Sequence, residues 1–297
     1  HHLKTQFLDE VYAAGLDRGA SLQDVETGVL RALGANSRCT KDGRLGASYV
    51  DLLRGEDKNG AATHLLSCPR STRIGDVVDA LDQYCREAGL SPKRTYVWHL
   101  SLCVNPRHRR SLKPCGHTRG RGRTGCTACG TDREDALLDE LFCRIRSVGK
   151  VLAIVSAYDE PQYTANVGCV LEMFFGLSSG SCEVSVLSPP LDGERLSADL
   201  LDGGPGLLPA WQALSTLRVE DCKASDSLEA EIALRYVSDG PGPAHVNATV
   251  TRRLHTWLAE EAERHARRLL ATGDLDGYPA ARICDAVGWM LREVSLQ

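Results

Sequence analysis

Lys150-Val151-Leu152-Ala153-Ile154-Val155-Ser156 is the strongest strand signal in the chain, an unbroken aliphatic run between polar ends. Reading outward from it, residues 132–148 carry a helical pattern capped by Thr131, and Thr164–Gly176 form a second helical stretch. Cys182-Glu-Val-Ser-Val-Leu187 is a further strand. Upstream, Ala62-Thr-His-Leu-Leu-Ser67 is short and apolar enough for a strand, ending in Cys68-Pro69-Arg70. Apolar residues at 74, 77, 78, 81, 84, 85 and 88 then line one helical face, with Gly89 as its stop. Tyr96–Val104 is a β-rich run. Strands alternating with helices predict a parallel sheet covered on both faces. Four strands are few for such a sheet, so a fifth is expected near Leu217–Val219.

The flanks are helical. Residues 3–17 and 22–33 read as amphipathic helices, with Ser21 as an N-cap and Gly34 as a stop, and a short helix spans 47–54. Pro189–Pro205 reads as a Pro/Gly/Asp-rich connector, followed by helices at about 207–216, 226–237, 246–271 and 278–295. The expected organisation is an N-terminal helical extension at 1–59, an α/β core at 60–190 with a Cys/His-rich insert at about 106–130, and a connector with a C-terminal helical region at 191–297.

Composition narrows the classes. The chain has 297 residues, 42% hydrophobic and 25% charged, which suits a globular protein with a sizeable core. Thirty-five basic against 39 acidic residues give a net charge of −4, so no global basic field recruits nucleic acid or an anionic membrane. No apolar run approaches the ~18–20 residues needed to cross a bilayer. The start at His1-His2-Leu3-Lys4 is not a signal peptide and lacks Met, so a fragment or a tag remnant is expected. Of the 12 cysteines, Cys85, Cys103, Cys143, Cys169 and Cys182 fall in apolar runs, where they read as small buried hydrophobes. A reducing, cytoplasmic setting is expected.

Three local features carry chemistry. Cys115-Gly-His117 and Cys126-Thr-Ala-Cys129 gather four ligand-type side chains within a Gly-, Arg- and Thr-rich loop. Thiolate and imidazole can close a tetrahedron around a structural zinc, and four protein ligands leave no open catalytic position. Reduced cysteines in a loop, or a redox pair, are the other readings. Around the insert lie Arg107, His108, Arg109, Arg110, Lys113, Arg119, Arg121 and Arg123. Without interleaved aromatics they read as a solvated loop rather than a nucleic-acid surface. Glu172 is flanked by Leu171, Met173, Phe174 and Phe175, on a helix facing the C-terminal edge of the sheet, where open α/β sheets bind ligands. It is either a functional carboxylate or a helix-surface or arginine-paired glutamate. His64 and Ser67 share a strand without an acid partner, so they do not form a hydrolase triad. Neither GxGxxG after a strand nor a Walker loop occurs. Asn247-Ala-Thr249 is a glycosylation sequon without a secretory signal. Arg252, Arg253, Arg264, Arg267 and Arg268 against Glu260, Glu261 and Glu263 read as a solvated helical face.

Three segments in order resemble the Toll/interleukin receptor (TIR)-like group, in the divergent form abundant in protists. Ala62-Thr-His-Leu-Leu-Ser-Cys-Pro-Arg70 with the helix Ile74-Gly-Asp-Val-Val-Asp-Ala-Leu81 resembles that group's first strand, Ser-His-Ala-Trp-like turn and helix. Thr95-Tyr-Val-Trp-His-Leu-Ser-Leu-Cys-Val-Asn105 resembles its second strand. Val148-Gly-Lys-Val-Leu-Ala-Ile-Val-Ser156 with Gly168-Cys-Val-Leu-Glu172 resembles its strand and Trp-Cys-x-x-Glu helix. The resemblance covers roughly 60–190 and, more loosely, 217–258. It implies a flavodoxin-like parallel sheet and one of two roles. As a hydrolase of the NAD glycohydrolase type, the chain would cleave the nicotinamide–ribose bond with Glu172 as catalytic carboxylate, and Ser67, Arg70 and Ser156 would line the crevice. As an interaction module it would self-associate or dock protein partners. Departures bear on the choice: Gly168 stands where the group has Trp, and Ser67-Cys68-Pro69-Arg70 replaces the Ser-His-Ala-Trp turn. The second strand's Asp is His99 or Leu100, and Pro106 replaces a Gln.

Overall fold

The computed structural model describes residues 1–40, 43, 45–55, 58–104, 133–224, 227–271 and 277–297. Its centre is a four-stranded sheet of β1 (His64–Ser67), β2 (Val97–Trp98), β3 (Lys150–Ile154) and β4 (Glu183–Leu187), all parallel and ordered β2-β1-β3-β4. This all-parallel α/β arrangement is consistent with a flavodoxin-like layout. Chain direction across the sheet reverses at β1, so β1 and β3 flank the position where loops part at the strand ends.

Alternation along β1 and β3 sends side chains to two distinct cores. Leu66, Leu152 and Ile154 face one side, where α1 (Gln6–Ala13), α2 (Leu22–Val25), a π turn (Glu26–Leu30) and α5 (Ile74–Glu87) bury Phe7, Val25, Val77 and Val78 against them. Helices α3 (Arg31–Gly34), α4 (Tyr49–Leu52) and α6 (Leu100–Cys103) are single turns in the same half. Leu65, Val151 and Ala153 face the other side. There α7 (Arg133–Val148) and α8 (Val167–Ser178) pack, backed by α10 (Leu207–Ser215), α11 (Ser227–Asp239), α12 (Pro243–Ala271) and α13 (Tyr278–Leu296). Helix α8 is apolar nearly all round because it is buried between sheet and α12. Gly176 permits that approach, since a Cβ there would lie 2.7 Å from Val184 Cγ2.

Several local expectations hold. Ser21 caps α2 in a capping box with Asp24, and β1, α5, β3 and β4 fall where periodicity puts them. Three do not. The run at 96–104 pairs only at Val97 and Trp98 and then turns into α6; among the described residues β2 has one neighbour, β1. Val219–Asp221 is a 3-10 turn, not a fifth strand. The stretch read as a connector contains helix α9 (Pro190–Leu201): Pro190 opens it at a position that needs no N–H donor, and Leu196 and Leu200 bury one face. Arg253 of α12 donates to the Val184 carbonyl and so covers part of the open β4 edge.

Candidate functional site at the strand ends

β1 delivers Ser67 to the strand-end edge fully buried. Its hydroxyl meets Tyr163, on the 3-10 turn Gln162–Ala165 that follows β3, at 2.8 Å. The single phenolic proton of Tyr163 goes to the Cys169 carbonyl at 2.9 Å, so Ser67 is the donor in the first bond. Asn166 fixes the start of α8 by accepting from the Cys169 N–H at 3.0 Å. One turn into that helix stands Glu172, half-buried. Burial, and behind it the Glu172 charge, holds the thiols of Cys68 and Cys169 far above the ordinary thiol range. Burial likewise raises the Tyr163 phenol, with Cys169 and then Glu172 adding to the effect. Cys68 also lies 3.7 Å from Nε2 of the buried His99, just beyond β2.

The other expected residues are placed differently. Arg70 donates to Glu26 Oε2 at 2.7 Å, and Ser101 donates to the same oxygen at 2.9 Å. Arg31 reaches Oε1 at 3.3 Å. Glu26, only 3% exposed, thus brings the N-terminal helical segment onto Arg70. Ser156 turns toward α5, 3.4 Å from Asp76 Oδ2. The next residue, Ala157, adopts φ +57°, and Asp192 at the start of α9 accepts its N–H at 2.8 Å. The structure thus joins Ser67 to Tyr163, while Arg70 is tied to Glu26 and Ser156 to Asp76.

Sequence reasoning missed Glu26 and Tyr163. Glu26 had a signal: it sits within the stripe Leu22, Val25, Val29 and Leu30, where a charge on an apolar face demands a partner. Tyr163 lies 96 residues from Ser67, and no spacing rule joins them.

The proposed zinc ligands Cys115, His117, Cys126 and Cys129 lie outside the described residues. Among the described residues no group of three or more His, Cys, Asp or Glu is arranged to hold a metal ion. None of the helices among them is long and apolar enough to cross a membrane. The nine described cysteines form no disulfide with one another. A cavity of ≈ 360 Å³ lies beside β2, lined by Tyr49, Tyr96 and Trp98, and a second of ≈ 340 Å³ lies beside β4. Glu172 lines neither. No family model, curated protein or solved structure matches the chain, so the TIR-like resemblance rests on the residues quoted above.

Proposed function

We propose that the chain is a TIR-like protein that cleaves the nicotinamide–ribose bond of NAD, with Glu172 as its catalytic carboxylate. One observation supports the reading: a half-buried glutamate stands on the helix that follows β3, one of the two strands at the switch point of a parallel sheet. In the reaction the C–N bond breaks with its electron pair leaving on nicotinamide. The ribose becomes oxocarbenium-like, a charge that a nearby carboxylate stabilises. Water then adds to that carbon and loses one proton, giving ADP-ribose, nicotinamide and H⁺. The cytoplasm, which supplies NAD and keeps thiols reduced, is the proposed setting.

The test is nicotinamide release by concentrated protein, with Glu172→Gln and Glu172→Ala alongside. Release by the unaltered chain and loss of at least about 10²-fold in both variants supports the reading. Absence of release from folded protein overturns it.

A second reading is favoured by a specific observation. Tyr163 closes over Ser67 and Glu26 occupies Arg70, so protein groups fill positions a substrate would use. On this reading the chain is a non-catalytic module acting by self-association or partner docking. It predicts concentration-dependent mass in solution with no turnover of NAD. For the insert at about 106–130 the proposal is one structural zinc on Cys115, His117, Cys126 and Cys129. Metal analysis of purified protein should return about one zinc per chain, lost in the Cys126→Ser/Cys129→Ser variant. Metal-free folded protein would remove it.

A further inference from the structure

The cavity of ≈ 340 Å³ beside β4 lies between α5, the end of β4, α9 and α12. It contains a set of side chains that the strand-end chemistry does not use. Ser197, in the middle of α9, holds its hydroxyl between the Gly193 carbonyl, to which it can donate at 3.0 Å, and His265 Nδ1 at the shorter 2.7 Å. The other imidazole nitrogen, Nε2, lies 3.7 Å from Glu261 Oε2, one turn earlier on α12. Glu261 is buried, and both of its oxygens accept from Arg264 at 2.9 Å, which fixes the carboxylate in place. With the proton on Nε2, toward the Glu261 charge, Nδ1 is an acceptor and Ser197 can turn its one proton from the Gly193 carbonyl to the ring. Burial is the main reason His265 is held below the ordinary histidine range, with Arg268 and Arg264 adding to it.

Two features argue against a merely space-filling role. Gly193 stands one turn before Ser197, and a Cβ there would lie 3.0 Å from His265 Cε1, so the glycine leaves room for the ring. Ser197 and His265, whose side chain is 12% exposed, line open space, unlike the hydroxyl pair at the strand ends. Arg268, whose contact to Glu87 is a loose 3.8 Å, places a cation at the same cleft.

We propose that this cleft is a separate reactive site for small carboxylic esters, with Ser197 as nucleophile, His265 as its base and Glu261 as a positioning residue. Ser197 Oγ adds to the ester carbonyl as its proton passes to His265 Nδ1. The carbonyl electron pair moves onto oxygen, where the Arg268 charge opposes it. Collapse of that adduct breaks the bond to the alcohol, which leaves with the proton from His265. Water, deprotonated in turn by His265, then releases the acid and restores Ser197. The inference is independent of Glu172.

The test is labelling of the intact chain with an alkyl fluorophosphonate, mapped by peptide mass spectrometry, together with the burst of p-nitrophenol from p-nitrophenyl acetate. Labelling should fall on Ser197 and vanish in Ser197→Ala. His265→Gln should slow it by about 10²–10⁴-fold. Glu261→Gln should slow it less and move its pH profile to lower pH, a change that loss of packing alone would not produce. Ser197→Cys guards against a folding artefact, since a thiol beside the same base should be alkylated by iodoacetamide far faster than in a Ser197→Cys/His265→Gln chain. No label on folded protein, label on another serine, or equal alkylation of the two cysteine variants would each overturn the proposal.

Discussion

The strand ends of β1 and β3 and the cleft beside β4 both collect hydroxyls, arginines and carboxylates, yet they treat them oppositely. At the strand ends Ser67 is sealed under Tyr163, and Arg70 and Ser101 converge on the buried Glu26. Beside β4, Ser197 and His265 bond to each other and still line a cavity. Burial makes the difference. A polar group removed from water must keep its partner or leave an unsatisfied atom, so it becomes part of the fold. A group that borders open space can exchange its partner for water or a ligand at lower cost. The first set should therefore be read out mainly in stability and the second mainly in reactivity.

The largest test of that contrast is Glu26→Ala. It removes a carboxylate that joins the N-terminal segment to Arg70, Arg31 and Ser101, and it leaves guanidinium groups in a site built for an anion. Breaking a buried pair from one side typically costs about 3–5 kcal/mol. Urea unfolding should show a loss of that order, with Glu26→Gln recovering part of it because the amide oxygen still accepts. A loss below about 1 kcal/mol would mean that water reaches Arg70 freely, and the strand ends would then be as open as the cleft.

Tyr163→Phe comes next. It deletes the phenol that accepts from Ser67 and donates to the Cys169 carbonyl, leaving a buried serine hydroxyl without that acceptor. About 1–3 kcal/mol is expected. Adding Ser67→Ala should return part of the loss, because the orphaned hydroxyl goes with it. A double-mutant cycle with no coupling would remove Tyr163 as the closure of that site. In the cleft, by contrast, Ser197→Ala should change stability by no more than about 0.5–1 kcal/mol, as for other incompletely buried positions.

What the sequence discloses follows the same division between local and distant causes. The β3 run, the capped helix α2 and the periodic helix α5 are local patterns, and they fold as their residues predict. The helix that carries Glu172 was legible too, because an apolar run follows the central strand. Helix α9 was not, because Pro189, Pro190 and Gly193 suggest a turn. Their effect depends on Leu196 and Leu200 finding the core below them. The strand ends were read without their cover because Glu26 and Arg70 lie 44 residues apart, and only the packed N-terminal segment brings them together. Ser197 and His265, 68 residues apart on two helices, were likewise hidden, and Arg264 and Glu261 read as surface charges until the cleft between α9 and α12 gave them a setting.

The smallest expected effect, the pH dependence of stability, concerns His265. Ser197 and Glu194 on α9, Glu87 and Tyr84 on α5, and Glu261, Arg264 and Arg268 on its own helix surround the cleft. Burial, assisted by the two arginines, outweighs the opposing charge of Glu87, and the imidazole is lowered from its ordinary 6.5. Between the lowered value and 6.5 the unfolded chain holds the proton more often than the folded one, so unfolding takes up protons. Stability accordingly rises with pH through that window, is flat above the ordinary 6.5, and is lost as pH falls below it toward the lowered value. His64 and His255, also lowered by burial, contribute with the same sign. His265→Gln should make the acid side of the curve shallower while changing stability little near neutrality. An unchanged slope would mean that His265 titrates alike in folded and unfolded chains. The cleft would then be wet enough that burial no longer keeps its base neutral, and the comparison with the sealed strand ends would be sharper still.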